Sequence, residues 1–169
     1  MTLLARLASD VQLMFRRPPR QQYGALCYRV RNADKLEVLL MTSRDTGRWV
    51  IPKGWPMNGK CAHEVAAQEA LEEAGVKGPV ETETLGAYTY PKMLRDGVRV
   101  SCKVQVYPLE VTDMAKNFKE KGERTIEWVS FDEAAGRVRE PELRHLFLAF
   151  KRKLTDRLSA NAAKQIPAE

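Results

Sequence analysis

Histidine is scarce in this chain: His63 and His145 are the two in 169 residues. They stand far apart, and neither sits in a cluster, so surface or helix-packing roles suit them better than catalysis. Cysteine is nearly as sparse, with Cys27, Cys61 and Cys102 odd in number, widely spaced and without a CxxC pair. That argues against a disulfide framework or a structural zinc site and for a reducing compartment, read here as the cytoplasm. No apolar run approaches the roughly 20 residues of a membrane-spanning helix. The first stretch, MTLLARLASDVQLMF, is broken by Arg6 and Asp10 and makes a poor signal peptide. Its Leu3, Leu7, Val11 and Met14 repeat at helical spacing, which predicts an amphipathic helix docked on the domain, with a membrane-surface role as the alternative.

What is abundant is positive charge, a net +6. An anionic partner follows, either nucleic acid or a small polyphosphate. The basic residues are scattered, and there is no zinc finger, RRM-type aromatic signature or helix-turn-helix. A small phosphorylated ligand is favoured over nucleic acid.

Apolar alternation predicts a strand at YGALCYRV, a buried run of Val38, Leu39 and Leu40 predicts a second in KLEVLLMTS, and RDTGRWVIP holds a turn and a short strand. Two more strands flank the turn Asp96-Gly97, a hairpin signal, and ERTIEWVSF is a further one. Helices are predicted over about 62–74, ended by Gly75, from FDEAAGRV with Asp132 as its cap, and over about 141–158. Residues 1–20 form the N-terminal helix and a basic proline-containing stretch, 21–158 one domain, and 159–169 a frayed tail. Strands, a helix, more strands and then helices predict a single mixed α/β domain, monomeric or homodimeric.

The chemistry concentrates in PKGWPMNGKCAHEVAAQEALEEAGV, residues 52–76. At about 100° per residue, Glu73 projects roughly 40° to one side of Glu69 and Glu72 roughly 60° to the other. Three carboxylates therefore crowd one arc with no base among them, while Ala67, Ala70, Leu71 and Ala74 cover the opposite side. Like charges at this spacing repel, whereas solvated helix faces are normally mixed in sign. A hard divalent cation with carboxylate ligands is the simplest compensation. Ahead of the helix, Gly54 and Gly59 permit close backbone approaches. Lys53 offers both a carbonyl to a metal and an ammonium to a phosphate.

This stretch resembles the Nudix box, G-x5-E-x7-R-E-U-x-E-E-x-G-U with U a bulky apolar residue. Gly54, Glu69, Glu72, Glu73, Gly75 and Val76 fall on its positions with the spacing intact. Looser similarity covers most of residues 23–135, where TSRDTGRWVIPKG, VYPLEVT and GERTIEWVSFDEA look like the diphosphoinositol polyphosphate and diadenosine polyphosphate phosphohydrolase branch. The resemblance implies an α/β/α sandwich around a central mixed sheet, with the box as a loop-helix-loop and flanking N- and C-terminal helices. It implies that Glu69 and Glu73 bind Mg²⁺ or Mn²⁺ with the Lys53 carbonyl, and that Glu72 shares the metal or activates water. The implied activity is hydrolysis of a pyrophosphate linkage in a small phosphorylated molecule. Glu120 and Glu123 are candidates for the base that some relatives carry on a later loop.

Three positions depart from the pattern: its first Glu is Lys60, its Arg is Gln68, and its first U is Ala70. In the family the box Arg helps orient the neighbouring carboxylate; Gln68 can hydrogen-bond to Glu69 but cannot neutralise it. Lys60 is placed in the loop. For substrate, Arg44 coincides with a phosphate-contacting arginine of the resembled branch. Arg48, Lys53 and Gly54 join it, with Arg95, Arg99 and Lys103 as a basic rim; each arginine and lysine has a solvated surface charge as its plain alternative. Trp55 and Tyr90 are read as core or rim packing, with base stacking as the alternative. Two rival functions remain: a non-catalytic phospholigand sensor, and an RNA 5′-end pyrophosphohydrolase.

Overall fold

A computed structural model describes residues 17–164 except residue 33. The predicted N-terminal helix lies outside the described residues. Nine strands and three helices follow in order among them: β1 (Arg20–Arg31), β2 (Lys35–Thr42), β3 (Trp49–Val50), β4 (Lys53–Gly54), α1 (Ala62–Ala74) and β5 (Val76–Lys77). Then come β6 (Gly86–Met93), β7 (Arg99–Glu110), β8 (Asp113–Met114), β9 (Ile126–Ser130), α2 (Phe131–Arg137) and α3 (Pro141–Lys164).

The main sheet runs β3-β2-β1-β7-β6, with β4 added to β1 and β9 to β2. It is mixed. β1 and β7 pair in parallel, Ala25 opposite Tyr107, and the other pairs of this sheet are antiparallel. Strands buried on both faces read as continuous apolar runs, which explains Val38-Leu39-Leu40-Met41. Leu26, Tyr28, Val38 and Leu40 face α2 and α3, meeting Phe131, Phe147 and Phe150. Ala25, Cys27, Leu39 and Met41 point the other way, onto Ala66, Ala70 and Ala74 of α1. Each face of the sheet is thus closed by helix, and the small Ala70 lets α1 lie close against it.

The β6–β7 hairpin turns at Asp96-Gly97 as predicted, with Gly97 at φ 78° and Val98 N–H donating to Asp96 Oδ1. One cap differs from the expectation. Ser130, not Asp132, caps α2 by accepting from the Glu133 N–H. The reason is packing: Phe131 is buried and starts the helix one residue before Asp132, whose carboxylate instead pairs with Lys151. The last helix continues to Lys164, through the first part of the segment expected to fray.

Two features aim the box. Gly75 closes α1 in the left-handed region at φ 69°, its N–H donating to the Ala70 and Leu71 carbonyls. The loop after β8 then docks on this helix end: Ala115 N–H donates to Gly75 O and Glu120 N–H to Glu72 O at 2.7 and 2.9 Å. Such bonds satisfy carbonyls that a helix terminus leaves open, and they bring Lys119 and Glu120 beside the acids of α1.

Candidate active site

An open cavity of about 250 Å³ lies between β1, β4, α1 and the 115–125 loop. Its acids are Glu69, Glu72, Glu73 and Glu120, with Asp45 at the mouth; its bases are Arg44, Lys53, Lys92, Lys119 and Arg124. Gly54 is part of the wall because Glu69 lies directly across it: a Cβ there would stand 1.9 Å from Glu69 Oε1.

The three box carboxylates occupy different environments. Glu72 is the wettest. Gln68 Nε2 donates to its Oε1 at 2.8 Å and Lys119 Nζ approaches its Oε2 at 3.4 Å, and these hold its carboxyl below the usual range. Gln68 thus serves Glu72, one turn along, rather than the adjacent Glu69, because residues four apart share a helix face. Glu69 is partly buried, and burial raises its pKa, with the Glu72 and Glu120 charges adding to the effect. Glu73 is buried outright, and its Oε2 has no hydrogen-bond partner. Arg124 Nη2 stands 3.6 Å from that oxygen, close enough for an ion pair and too far for a hydrogen bond. Burial pushes the Glu73 carboxyl upward and the neighbouring Lys53 ammonium downward. The acidic arc read from the helical projection is therefore not a solvent face; its Glu73 edge turns into the protein.

Lys60 lies exposed in the loop ahead of α1, where its N–H donates to Met57 O. The capping glutamate of this helix is Glu64, which accepts from the Cys61 N–H at 2.7 Å.

Of the residues read as substrate-binding, Arg44, Lys53 and Gly54 meet the acids in this cavity. Arg44 is held by Glu120 and Glu123 at 2.9 and 3.1 Å and stays exposed. Arg48 and Arg95 line an adjoining cavity of about 360 Å³ that shares Ser43, Asp45, Lys53, Tyr90 and Lys92 with the first. Arg48 is already paired with the buried Glu140. Arg99 lies at a separate hollow on the hairpin, and Lys103 is exposed on β7 opposite Thr89. The structure does not bring these last two to the acids. Tyr90 is buried, its hydroxyl donating to the equally buried Gln22 at 2.6 Å and its ring lying under Lys53 and Arg48. Trp55 is exposed beneath Lys92.

Sequence reading missed Gln22, Lys92, Lys119 and Arg124 as members of the site. Only Arg124 lay in a segment singled out by resemblance, GERTIEWVSFDEA. The others carry no local signal, since they arrive from three separate elements.

A mixed sheet closed by helices on both faces carries a glycine-backed acidic helix whose carboxylates meet five basic side chains in one cavity, a combination suited to phosphate chemistry. A NUDIX domain model matches residues 20–157, and the chain belongs to the Nudix family. Among curated relatives it is 31% identical to Nudix hydrolase 21, chloroplastic, of Arabidopsis thaliana over 157 residues, 88% of this chain and 75% of that protein. Nudix hydrolase 12, mitochondrial, of the same plant is 31% identical over 126 residues, 66% of this chain; the match spans 62% of that relative's length. In fold the chain is similar to a C. elegans Ap4A hydrolase, with TM-score 0.59, 21% identity, and 81% and 99% of the two chains covered. It is also similar to the NUDIX domain of Shewanella oneidensis NrtR complexed with ADP ribose, at TM-score 0.60 and 16% identity over 92% and 100%. No helix among the described residues is long and apolar enough to cross a membrane.

Proposed function

We propose that this protein hydrolyses a phosphoanhydride linkage in a densely phosphorylated small molecule, a diphosphoinositol polyphosphate or a dinucleoside polyphosphate, with Mg²⁺ or Mn²⁺. The observation that carries the reading is the single cavity holding Glu69, Glu72, Glu73 and Glu120 against Arg44, Lys53, Lys92 and Lys119. Acids alone would suit a cation and bases alone an anion. Both together suit a phosphate carried with its cation.

The donors fit a hard cation in kind. All are oxygens, and Glu73 presents a buried carboxylate oxygen with no hydrogen-bond partner, a state costly to maintain without a counter-charge. They are not gathered into a closed shell: among the described residues no group of three acidic, histidine or cysteine side chains is arranged to hold an ion as it stands. By position in the family pattern, Glu69, Glu73 and the Lys53 carbonyl would hold it, with Glu72 shared. The chemistry such an ion supplies when bound is Lewis acidity and charge neutralisation at phosphate oxygens.

The chain's own residues do the rest. Lys53, Lys92 and Arg44 bind the phosphates, with Arg95 extending the cationic wall into the adjoining cavity. Arg44 reaches a phosphate by exchanging its Glu123 contact, which is exposed and cheap to break. Glu72, kept ionised by Gln68 and Lys119, takes the proton of the attacking water. The water oxygen bonds to phosphorus, the bridging P–O bond breaks, and two phosphorylated products leave. The buried free thiols Cys27 and Cys102 fit a reducing compartment, and a cytoplasmic location belongs to this reading.

The test is phosphate or nucleotide release across diphosphoinositol polyphosphates, diadenosine polyphosphates, ADP-ribose, nucleoside triphosphates and triphosphorylated RNA, each beside Glu72→Gln. Turnover lost on chelation, and lowered about 100-fold or more in the variant, is the expected result. Binding without turnover of any member would replace the enzyme by a sensor. Turnover confined to RNA would move the substrate class.

A further inference from the structure

Helix α1 carries its acids without a base of its own. No basic residue stands in its last turn, and Gln68, at the arginine position of the family pattern, spends its amide on Glu72. Positive charge beside Glu73 arrives from Lys53 of β4 and from Arg124, on the loop that leads into β9.

Arg124 is built in. Its side chain is 9% exposed. Nη1 donates to Thr42 O at 3.0 Å, and Nε and Nη2 donate together to Glu120 Oε2 at 3.3 and 3.2 Å. The same Nη2 faces Glu73 Oε2 at 3.6 Å. Its neighbour is pinned as well: Thr125 N–H donates to Thr42 Oγ1 and Thr42 N–H to Thr125 O, both at 3.0 Å. A planar guanidinium anchored to the end of β2 and reaching acids on two other elements fixes angle as well as charge.

We infer that Arg124 is a positioning residue for Glu73, one of the acids proposed to hold the cation, keeping it at a set separation from Glu120 of the 115–125 loop, a task Gln68 cannot perform. The inference rests on the metal-dependent reading above. A direct phosphate contact is the competing role, and the geometry disfavours it. Each of the three guanidinium nitrogens already faces a protein acceptor, and a phosphate would have to displace Glu120, whose side chain is itself 14% exposed. Arg44, 54% exposed and paired at its tip, is the arginine free to make that exchange.

The sign of one measurement separates the roles. Removing a positive charge near a cation site, with nothing else altered, tightens cation binding. Removing a positioning group loosens it, by about 10- to 100-fold for residues that orient metal ligands. Mn²⁺ binding to the substrate-free protein would be followed by electron paramagnetic resonance for wild type, Arg124→Gln and Arg124→Lys, with kcat and KM measured in parallel and folding checked by thermal melting. Weaker Mn²⁺ binding and lower kcat with little change in KM are expected for Arg124→Gln. Arg124→Lys, which keeps the charge and loses the fork, is expected to fall between, and it carries the test if the glutamine variant does not fold. Unchanged or tighter Mn²⁺ binding in a folded variant overturns the inference, as does a raised KM at constant kcat. A wild-type protein that neither binds Mn²⁺ nor turns over any substrate overturns the function first and this inference with it.

Discussion

Gly54 and Glu69 compete for one volume: a Cβ at residue 54 would lie 1.9 Å from Glu69 Oε1 and 2.1 Å from Cδ. The glycine of β4 and the first of the three box acids are therefore a single device, in which an absent side chain seats a present one. The obstructing atoms belong to the far end of a flexible side chain, so relief requires only that Glu69 swing away.

Gly54→Ala is accordingly expected to separate stability from activity. The melting temperature should move little, while kcat falls about 100-fold because an oxygen proposed to hold the cation is misplaced by about 1 Å or more. Thermal melting and kinetics on the same preparation check this. A large loss of stability would mean that the backbone, rather than Glu69, had to give way.

Gln68 gives a prediction about pH. Its hydrogen bond is the largest cause holding the Glu72 carboxyl below the usual range, followed by Lys119. Gln68→Ala removes that bond, so the Glu72 pKa rises toward the ordinary carboxylate value of 4.5 and less of the proposed base is ionised at a given acidic pH. The acid limb of kcat/KM should shift to higher pH, and the lost bond is worth about 1 kcal/mol. An unmoved limb would remove Glu72 from the role of base.

Glu37 supplies a stability prediction away from the site. It is buried on β2, which raises its pKa, but the hydrogen bond and charge of Arg29, with Lys35, outweigh burial and hold it below 4.5. A carboxylate depressed in the folded state adds stability above its unfolded pKa and loses it as pH falls through the folded value. Wild type should thus lose more stability than Glu37→Gln on acidification from neutral pH to about pH 3. Urea melts at the two pH values would show it, and parallel losses would count against the pair.

The sequence by itself determined the box helix, its three acids and the glycines that bound it, because helical spacing and turn chemistry are properties of neighbours in the chain. It also determined the longer strands of the main sheet, the buried apolar run of β2 and the Asp96-Gly97 hairpin, while Lys53-Gly54, read as loop, pairs with β1 as β4. Tertiary structure decided which acid is buried. Glu73 and Glu72 are adjacent in sequence, yet one is buried facing Arg124 and the other is more exposed and meets Gln68 and Lys119. It also decided the fate of the arginines: Arg48 is taken by Glu140, and Arg124 is brought in by a loop docked on the helix end. No local pattern announces such pairings. They depend on how β1 and β7 lie parallel and where distant loops close, so charge count and spacing could name the ingredients of the cavity, while only packing could assign them partners.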